Sequence, residues 1–230
     1  MKNLLKLILL LTLVTTYSQN TVNINTYSSL NGESGLGNNT SGGIWVNKPV
    51  YNDIQGDSYL LNNWMSTMTI YTNQNKTFNI FNSNLDLLKN KFVSKVSNDS
   101  IFEYDNRNIK YVNLNNVIYK RYVIEDKDQF LAVIFNGKNA SFLKKNSIFI
   151  DRGIVNPMTL KKMSEDKYVT KSKYFAYING NIQEFRLSKG RVLSVLKDKK
   201  NMLKKFVKDN KLTYKTEEDI LQIFKYYNSL

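Results

Sequence analysis

The sequence contains no cysteine and no histidine among its 230 residues. Without cysteine there is no disulfide framework and no thiol nucleophile. Without either residue there is no Cys/His zinc site and no Ser-His-Asp triad. We therefore predict no metal site, no cofactor and no catalytic residue, and favour a non-enzymatic protein.

Arginine is also scarce, although the formal net charge is +14. Of the 33 basic residues, the arginines are Arg107, Arg121, Arg152, Arg186 and Arg191. Proteins that recognise bases and phosphates favour the bidentate arginine fork over lysine. The composition therefore argues against a nucleic-acid partner.

The N-terminus has the pattern of a secretory signal peptide over residues 1–18. Two early lysines precede the apolar run Leu7–Val14, and the small residues Thr16 and Ser18 precede Gln19. This order is typical of a cleaved export signal. The run is far shorter than the ~20 apolar residues that span a bilayer. We expect an exported protein, periplasmic or extracellular, with no transmembrane segment after the signal is removed.

Residues 19–43 have the composition of a flexible leader. The stretch 31–43 holds five of the ten glycines, among Asn, Ser and Thr. It includes a Gly-x-Gly at Gly35 and Gly37, but no apolar strand precedes it and no helical pattern follows. A phosphate-binding loop requires both, so this stretch predicts a leader.

Residues 44–230 have the pattern of a single β-rich domain. Short apolar runs, separated by Asn, Asp and Gly, recur at 67–71, 77–81, 85–88, 91–96, 101–104, 109–114, 117–124, 130–135, 139–143, 174–178 and 182–187. The pairs Asn136-Gly137 and Asn179-Gly180 each lie between two such runs, which predicts hairpin turns with positive φ. Many strands with no helix between them favour an antiparallel sandwich or barrel. The polar segment 151–171 is predicted to be a long connection.

The last forty residues change to a helical period. Apolar residues at three- and four-residue spacing predict an amphipathic helix over about 188–208, with Ser188 as N-cap. A second helix is predicted over about 217–228, where the Thr216 hydroxyl can cap Asp219. The fold class is therefore α+β, a mostly antiparallel β sandwich or barrel with a C-terminal two-helix hairpin.

The positive charge is concentrated near the C-terminus. Residues 19–156 have a net charge of only +3, whereas residues 157–230 have +9. The candidate binding residues lie on one face of the first predicted helix and are Lys197, Lys200, Lys204 and Lys208. Such a face could bind an anionic surface. The alternative is a solvated face rich in lysine through AT-rich codon usage, which 32 Asn against 3 Ala also indicates.

Other side chains with possible chemistry are acidic or aromatic. The densest acids are Glu103, Asp105, Glu125, Asp126 and Asp128. A glycosidase needs two carboxylates facing each other across a cleft, but residues 125–128 have the pattern of a turn. Trp45, Trp64 and Tyr59 could bind sugar rings, although core positions are favoured for them.

Three segments together resemble a family of uncharacterised exported proteins from Bacteroidetes-type bacteria. They are FLAVIFNGKNASFLKK (130–145), YFAYINGNIQEFRL (174–187) and KKNMLKKFVKDNKLTYKTEEDILQIFKYYNSL (199–230). The helix start Glu217-Glu218-Asp219 and the terminal Tyr226-Tyr227-Asn228 match the family pattern, whereas Ser58 stands where the family has Pro. The resemblance covers roughly 56–230. It implies export and a β-rich domain with a basic C-terminal helix, and it implies no activity or catalytic residue.

The predicted function is that of an exported, envelope-associated structural or interaction protein. Its partner would be an anionic envelope surface or another envelope protein. The first alternative is a protein that binds a polyanion or anionic lipid through the Lys face of the 188–208 helix. A third hypothesis is a carboxylate-based glycan hydrolase.

Overall fold

The computed structural model describes residues 21–23, 43–47, 54–97 and 100–230. In chain order the strands are β1 (Thr21–Asn23), β2 (Gly43–Asn47), β3 (Ile54–Gln55), β4 (Met68–Thr72), β5 (Thr77–Ile80), β6 (Ser83–Asp86), β7 (Lys91–Lys95), β8 (Ser100–Tyr104), β9 (Ile109–Leu114), β10 (Val117–Ile124), β11 (Lys127–Phe135), β12 (Ser141–Asp151), β13 (Asp166–Ile178) and β14 (Asn181–Phe185). The helices are α1 (Lys189–Val195), α2 (Lys200–Asp209) and α3 (Glu217–Ser229).

The strands form two sheets. The large sheet has ten strands in the order β1-β5-β4-β9-β10-β11-β12-β13-β14, with β3 paired to β13. The small sheet has the order β2-β8-β7-β6. Most neighbours are antiparallel, and the parallel pairs are β1 with β5 and β3 with β13. The predicted α+β class with a C-terminal helix pair is confirmed, and neither sheet closes into a barrel.

The small sheet packs on one face of the large sheet. Every second side chain along the strands points between the two sheets, and these side chains form the core. In β4, Met68 and Ile70 are fully buried, and Phe78 of β5 lies opposite Ile70. Phe92 of the small sheet makes an edge contact with Phe130 of the large one at a ring distance of 5.0 Å. Burial of such side chains, each worth roughly 1.5–3 kcal/mol, joins the two sheets.

The helices cover the other end of the same face. On β11, Phe130 and Ala132 belong to the core between the sheets, while Ile134, two residues on, packs against the helices. Phe142 of β12 stacks on Phe224 of α3 at 5.0 Å. Thr216 caps α3 by accepting a hydrogen bond from the Asp219 N–H, as predicted.

The predicted continuous helix over 188–208 is wrong. Helix α1 ends at Val195, a 3₁₀ turn follows over 197–199, and α2 begins at Lys200. A straight helix would turn Lys199 or Lys200 toward the core between the buried Leu196 and Leu203. The break leaves Lys200 exposed and directs Lys199 over the Tyr227 ring.

The C-terminal half of the large sheet curls toward the face that the helices leave uncovered. Leu131, Leu143 and Phe175 are buried on this second face. Across the curl, Tyr122 of β10 makes an edge contact with Tyr177 of β13 at 5.4 Å. Strand β14 approaches β10 without pairing to it. This curl creates the concave surface on which the candidate site lies.

The predicted long connection at 151–171 is much shorter. Strand β12 continues to Asp151 and β13 begins at Asp166, so the two strands pair in continuous register from Ser141↔Tyr177 to Asp151↔Lys167. Alternating β-branched and aromatic residues, such as Phe149 opposite Val169, favour strand at these polar positions. Only residues 152–165 connect the strands.

The predicted N-terminal features lie mostly outside the described residues. The signal peptide at 1–18 lies wholly outside them. Within the predicted leader at 19–43, Thr21–Asn23 form β1 and Gly43 begins β2. Among the described residues, no helix is both long enough and apolar enough to cross a bilayer.

Candidate functional site

A cavity of about 650 Å³ opens at one end of the curled sheet, on the face away from the helices. Its lining comes from β9, β10, the β11–β12 turn, β13 and the β13–β14 turn. This volume falls within the 300–1,000 Å³ typical of small-molecule sites. We refer to it as the cationic cavity, for the reason given next.

The charged groups that line the cationic cavity all carry positive charge. They are Lys110, Lys120, Arg121 and Lys138, and no carboxylate of the described residues lines it. Arg121 is engaged elsewhere, because its guanidinium reaches the Arg107 carbonyl at 3.5 Å and Asp128 at 3.8 Å. Within the described ranges, no carboxylate pairs with the three lysines. Their charges are therefore available to an anion.

Three tyrosines supply flat surfaces beside the lysines: Tyr111, Tyr122 and Tyr177. Burial, with a contribution from Tyr177, raises the pKa of Tyr122 to about 12. Burial also raises the pKa of Tyr111, which stacks on Tyr71 at 4.2 Å. Both phenols are therefore neutral at physiological pH, so they do not offset the lysine charges and can donate hydrogen bonds.

Amide and hydroxyl groups complete the lining. Asn136, Asn139 and Asn179 lie in the two turns, and Ser141 begins β12. Such groups form hydrogen bonds with the hydroxyl and carbonyl groups of a ligand. The cavity thus combines cations, ring faces and neutral hydrogen-bonding groups.

One of the two turns has the conformation that the sequence predicts. Asn179 and Gly180 both have positive φ, at 49° and 82°, and β13 pairs with β14 directly across them. A two-residue turn of this kind matches the twist of the strands it joins. It fixes Asn179 at the rim of the cationic cavity.

The other turn joins β11 and β12 as predicted, but by a different mechanism. Neither Asn136 nor Gly137 has positive φ. Instead, the Asn228 side chain of α3 binds the turn: its Oδ1 accepts from the N–H groups of Asn139 (2.8 Å) and Ala140 (3.1 Å). Its Nδ2 donates to the Ala140 carbonyl at 2.9 Å. A Cβ on Gly137 would collide with Asn228, so glycine is required here by close approach.

The C-terminal helix therefore positions a cavity wall from the opposite face of the sheet. The residues before Asn228 anchor the helix. Tyr226 stacks on Phe206 at 4.1 Å, and the Tyr227 hydroxyl donates to Asp198 at 3.0 Å. Burial, followed by the bond to Asp198, raises the pKa of Tyr227 to about 12. The sequence Tyr226-Tyr227-Asn228 is thus a connected set of contacts between α3, α2 and the cavity turn.

The lysines predicted from helical spacing lie away from this cavity. Lys197 is on the 3₁₀ turn, and Lys200, Lys204 and Lys208 are spaced by four residues along α2. All four are exposed, and no ion pair among the described residues involves them. We call them the helix lysines. None of them lines the cationic cavity.

Sequence reasoning missed the cavity lysines, because Lys110, Lys120 and Lys138 come from different elements with no shared spacing. The partial signal was local. Lys138 follows an Asn-Gly pair, and Lys120 stands with Arg121 between Tyr119 and Tyr122. Neither pattern shows that the sheet curls and brings the elements together.

The acidic candidates do not converge. Glu103 is buried in the small sheet, where it pairs with Lys89 and, at 3.7 Å, with Lys91. Glu125 and Asp126 occupy the β10–β11 turn, both with positive φ. Among the described residues, no group of three or more acids could hold a metal ion.

The aromatic candidates are only partly buried. Trp45 is exposed and makes an edge contact with Phe102 at 4.9 Å. Trp64 is half-buried beside Tyr59 at 4.7 Å. The core positions predicted for these tryptophans are therefore not observed, although each packs on one ring.

A second cavity of about 430 Å³ lies between the two cores, with mostly apolar walls. Its ionised groups are Lys144 and Glu217, which pair at 2.7 Å, and the Tyr174 hydroxyl donates to the same carboxylate oxygen at 3.0 Å. Burial, followed by the bond to Glu217, raises the pKa of Tyr174 to about 12. Because the two charges neutralise each other, this cavity offers no free cation or base.

No protein-family model, curated protein or solved structure matches this chain. The resemblance to the exported family therefore stays a prediction.

Proposed function

We propose that this chain is a non-enzymatic binding protein that takes a small anionic ligand in the cationic cavity. The observation that carries the proposal is the lining itself. Lys110, Lys120 and Lys138 meet in one concave site, with no carboxylate of the described residues beside them. Three unpaired positive charges in a concave site attract anions and repel cations. Lysines on an ordinary solvated surface need not come together in one concave site.

The proposed ligand class is an anionic saccharide, with sulfate, phosphate or carboxylate groups on sugar rings. Lysine binds such groups as a point charge. The faces of Tyr111, Tyr122 and Tyr177 would contact the apolar side of a sugar ring, as aromatic residues with one polar end commonly do in binding sites. The asparagine amides would form hydrogen bonds with the ring hydroxyls.

The proposal includes export and association with the cell envelope. Support for this part comes from the sequence alone, through the signal-peptide pattern at 1–18 and the family resemblance. An exported protein meets anionic saccharides at envelope surfaces. Binding of such a saccharide in the cationic cavity would be the interaction that this envelope-associated protein makes.

The helix lysines support a second candidate function, the binding of an extended polyanion or anionic lipid surface. The supporting observation is the exposure of Lys200, Lys204 and Lys208 at four-residue spacing along α2. Such a ridge is open and convex, so it would not select one small ligand. Its binding should depend on total charge and weaken steeply with salt.

A thermal-shift panel tests the proposed function. The probes are a sulfated disaccharide, the same disaccharide without sulfate, and inorganic sulfate at equal concentration. A ligand at a hundred times its Kd stabilises the folded protein by about 2.7 kcal/mol. We expect the sulfated disaccharide to raise the melting temperature most, since it alone offers both charge and rings. Equal melting temperatures with the sulfated and unsulfated forms would contradict the proposal.

A further inference from the structure

The β12–β13 hairpin ends in a tip that exposes apolar side chains. We define the tip as residues 152–163. Strand β12 pairs with β11 only as far as Lys144, whereas its pairing with β13 continues to Asp151. At about 3.4 Å per residue, the hairpin extends roughly 20 Å beyond the last β11–β12 pair. Strand β3 pairs with β13 at Asp166 and Lys167, so the tip lies just beyond the last paired residues of the hairpin.

The tip is held in one conformation by hydrogen bonds. The buried Asp166 carboxylate accepts from the Gly153 N–H and from Arg152 Nη1, both at 2.8 Å. It also pairs with Lys162 Nζ at 2.9 Å. The Asn156 side chain accepts from the N–H groups of two following residues, at 2.9 and 3.1 Å. Because these bonds fix the loop, its apolar exposure is built into the fold.

Five apolar side chains of the tip face solvent. Their exposed fractions are Ile154 67%, Val155 50%, Met158 93%, Leu160 79% and Met163 68%. Leu160 also has a φ of 56°, a conformation that branched residues rarely adopt. Clustered exposure of this kind marks an interaction site in a folded protein.

Three basic residues lie within the tip, beside its apolar side chains. Residues 152–163 contain Arg152, Lys161 and Lys162 and no acid. The acids nearest in the sequence are Asp166, which binds Arg152 and Lys162, the exposed Glu165, and Asp151, which lies 3.7 Å from Lys167. Lys161 is exposed and has no carboxylate partner among the described residues. Asp166 thus neutralises part of the charge of Arg152 and Lys162, and Lys161 supplies an unpaired positive charge beside the apolar side chains.

We propose that this tip docks on an anionic lipid bilayer. Met158 and Leu160 would enter the boundary between head groups and acyl chains, while Lys161 and its basic neighbours would contact the lipid phosphates. The tip is convex: Met158 is almost fully exposed, so no wall of the protein rises beside it. An anionic bilayer accepts a convex apolar tip that carries an exposed lysine. The inference is independent of the cationic cavity, and it concerns different residues from the helix lysines.

Vesicle co-sedimentation tests this inference. The probes are vesicles of phosphatidylcholine alone and vesicles with three-tenths phosphatidylglycerol, each at low and high salt. We expect binding to the anionic vesicles that weakens with salt, and at least tenfold weaker binding to the neutral ones. Absence of binding to the anionic vesicles would overturn the proposal.

The decisive variant keeps the net charge unchanged, because the basic chain could adhere to anionic vesicles nonspecifically. Met158→Ser with Leu160→Ser should weaken binding about tenfold or more, since it removes the side chains that insert. The matched control is Met65→Ser with Leu88→Ser, two exposed apolar residues elsewhere, which should bind like the wild type. Equal binding by the tip variant and the control would overturn the proposal.

Two further comparisons distinguish the tip from the helix lysines and from a dimer interface. Lys161→Gln should weaken vesicle binding more than Lys76→Gln, an exposed lysine on a distant turn. If only removal of the helix lysines abolishes binding, the proposal fails and α2 is the lipid-binding surface. If the tip variant instead abolishes a concentration-dependent dimer in sedimentation velocity, with no vesicle binding by the wild type, the tip binds a second copy and the proposal also fails.

Discussion

The contact between Asn228 and the β11–β12 turn predicts that a residue near the C-terminus controls both stability and the shape of the cationic cavity. The change Asn228→Ala removes hydrogen bonds to the N–H groups of Asn139 and Ala140 and to the carbonyl groups of Ala140 and Phe224. Ala140 is only 1% exposed, so water cannot readily replace its lost partners. The contact therefore couples the helix to the far face of the sheet.

The magnitude follows from these bonds. Each contributes a net of about 0.5–1.5 kcal/mol, and an unsatisfied buried group costs about 1–3 kcal/mol. Because Asn139 is exposed and can bind water, we expect a total loss of about 2–4 kcal/mol in the free energy of unfolding. With a urea slope of roughly 1–3 kcal/mol per molar, the unfolding midpoint should fall by about 1 M or more.

The assay is urea unfolding followed by circular dichroism, together with hydrogen exchange at the Ala140 amide. The matched control is Asn181→Ala, whose side chain is exposed and makes one long bond, 3.4 Å, to the Asn179 carbonyl. The control should stay within about 0.5 kcal/mol of the wild type. If Asn228→Ala is as stable as the control and leaves exchange at Ala140 unchanged, the inferred coupling is refuted.

Two further substitutions test how the hairpin tip and α3 are held. The bonds to Gly153, Lys162 and Arg152 hold the pKa of Asp166 well below its usual value; its stabilising contribution is therefore complete at neutral pH and is lost as pH falls from about 5 through that lowered pKa. Asp166→Asn should be less stable than the wild type at pH 7, and the difference should shrink as pH falls below about 4 without vanishing at pH 2.5, as measured by urea unfolding at each pH. A constant difference would contradict this assignment. Thr216→Ala should lower the free energy of unfolding by about 1 kcal/mol, because it removes the side-chain cap of α3. Ser188→Ala should have almost no effect, because Ser188 makes no side-chain capping bond. Equal effects of the two substitutions in urea unfolding would exclude a stabilising cap at Thr216.

Much of the fold could be predicted from local patterns. The pair Asn179-Gly180 determines a two-residue turn by itself, and the Thr216 cap depends on residues three apart. The break between α1 and α2 was not predicted, although its cause is local: a continuous stripe would include Lys199 or Lys200. The spacing of the apolar residues predicts one continuous helix only if these lysines, which interrupt the apolar stripe, are ignored.

The cationic cavity could not be predicted, because it depends on distant pairings. Lys110, Lys120 and Lys138 come together only when β9 and β10 pair and the sheet curls around Leu131 and Phe175. No spacing in the sequence encodes that curl. The helix lysines, in contrast, lie in one short segment, so their regular spacing can be recognised in the sequence.

The most direct test of the central claim is a calorimetric titration of the sulfated disaccharide into three proteins. These are the wild type, a cavity variant with Lys110, Lys120 and Lys138 changed to Gln, and a helix variant with Lys197, Lys200 and Lys204 changed to Gln. Both variants lose the same charge, so they separate a specific site from general attraction. We predict that the cavity variant binds at least tenfold more weakly than the wild type, while the helix variant binds within about threefold of it. Equal weakening in the two variants, or a loss confined to the helix variant, would contradict the proposed function.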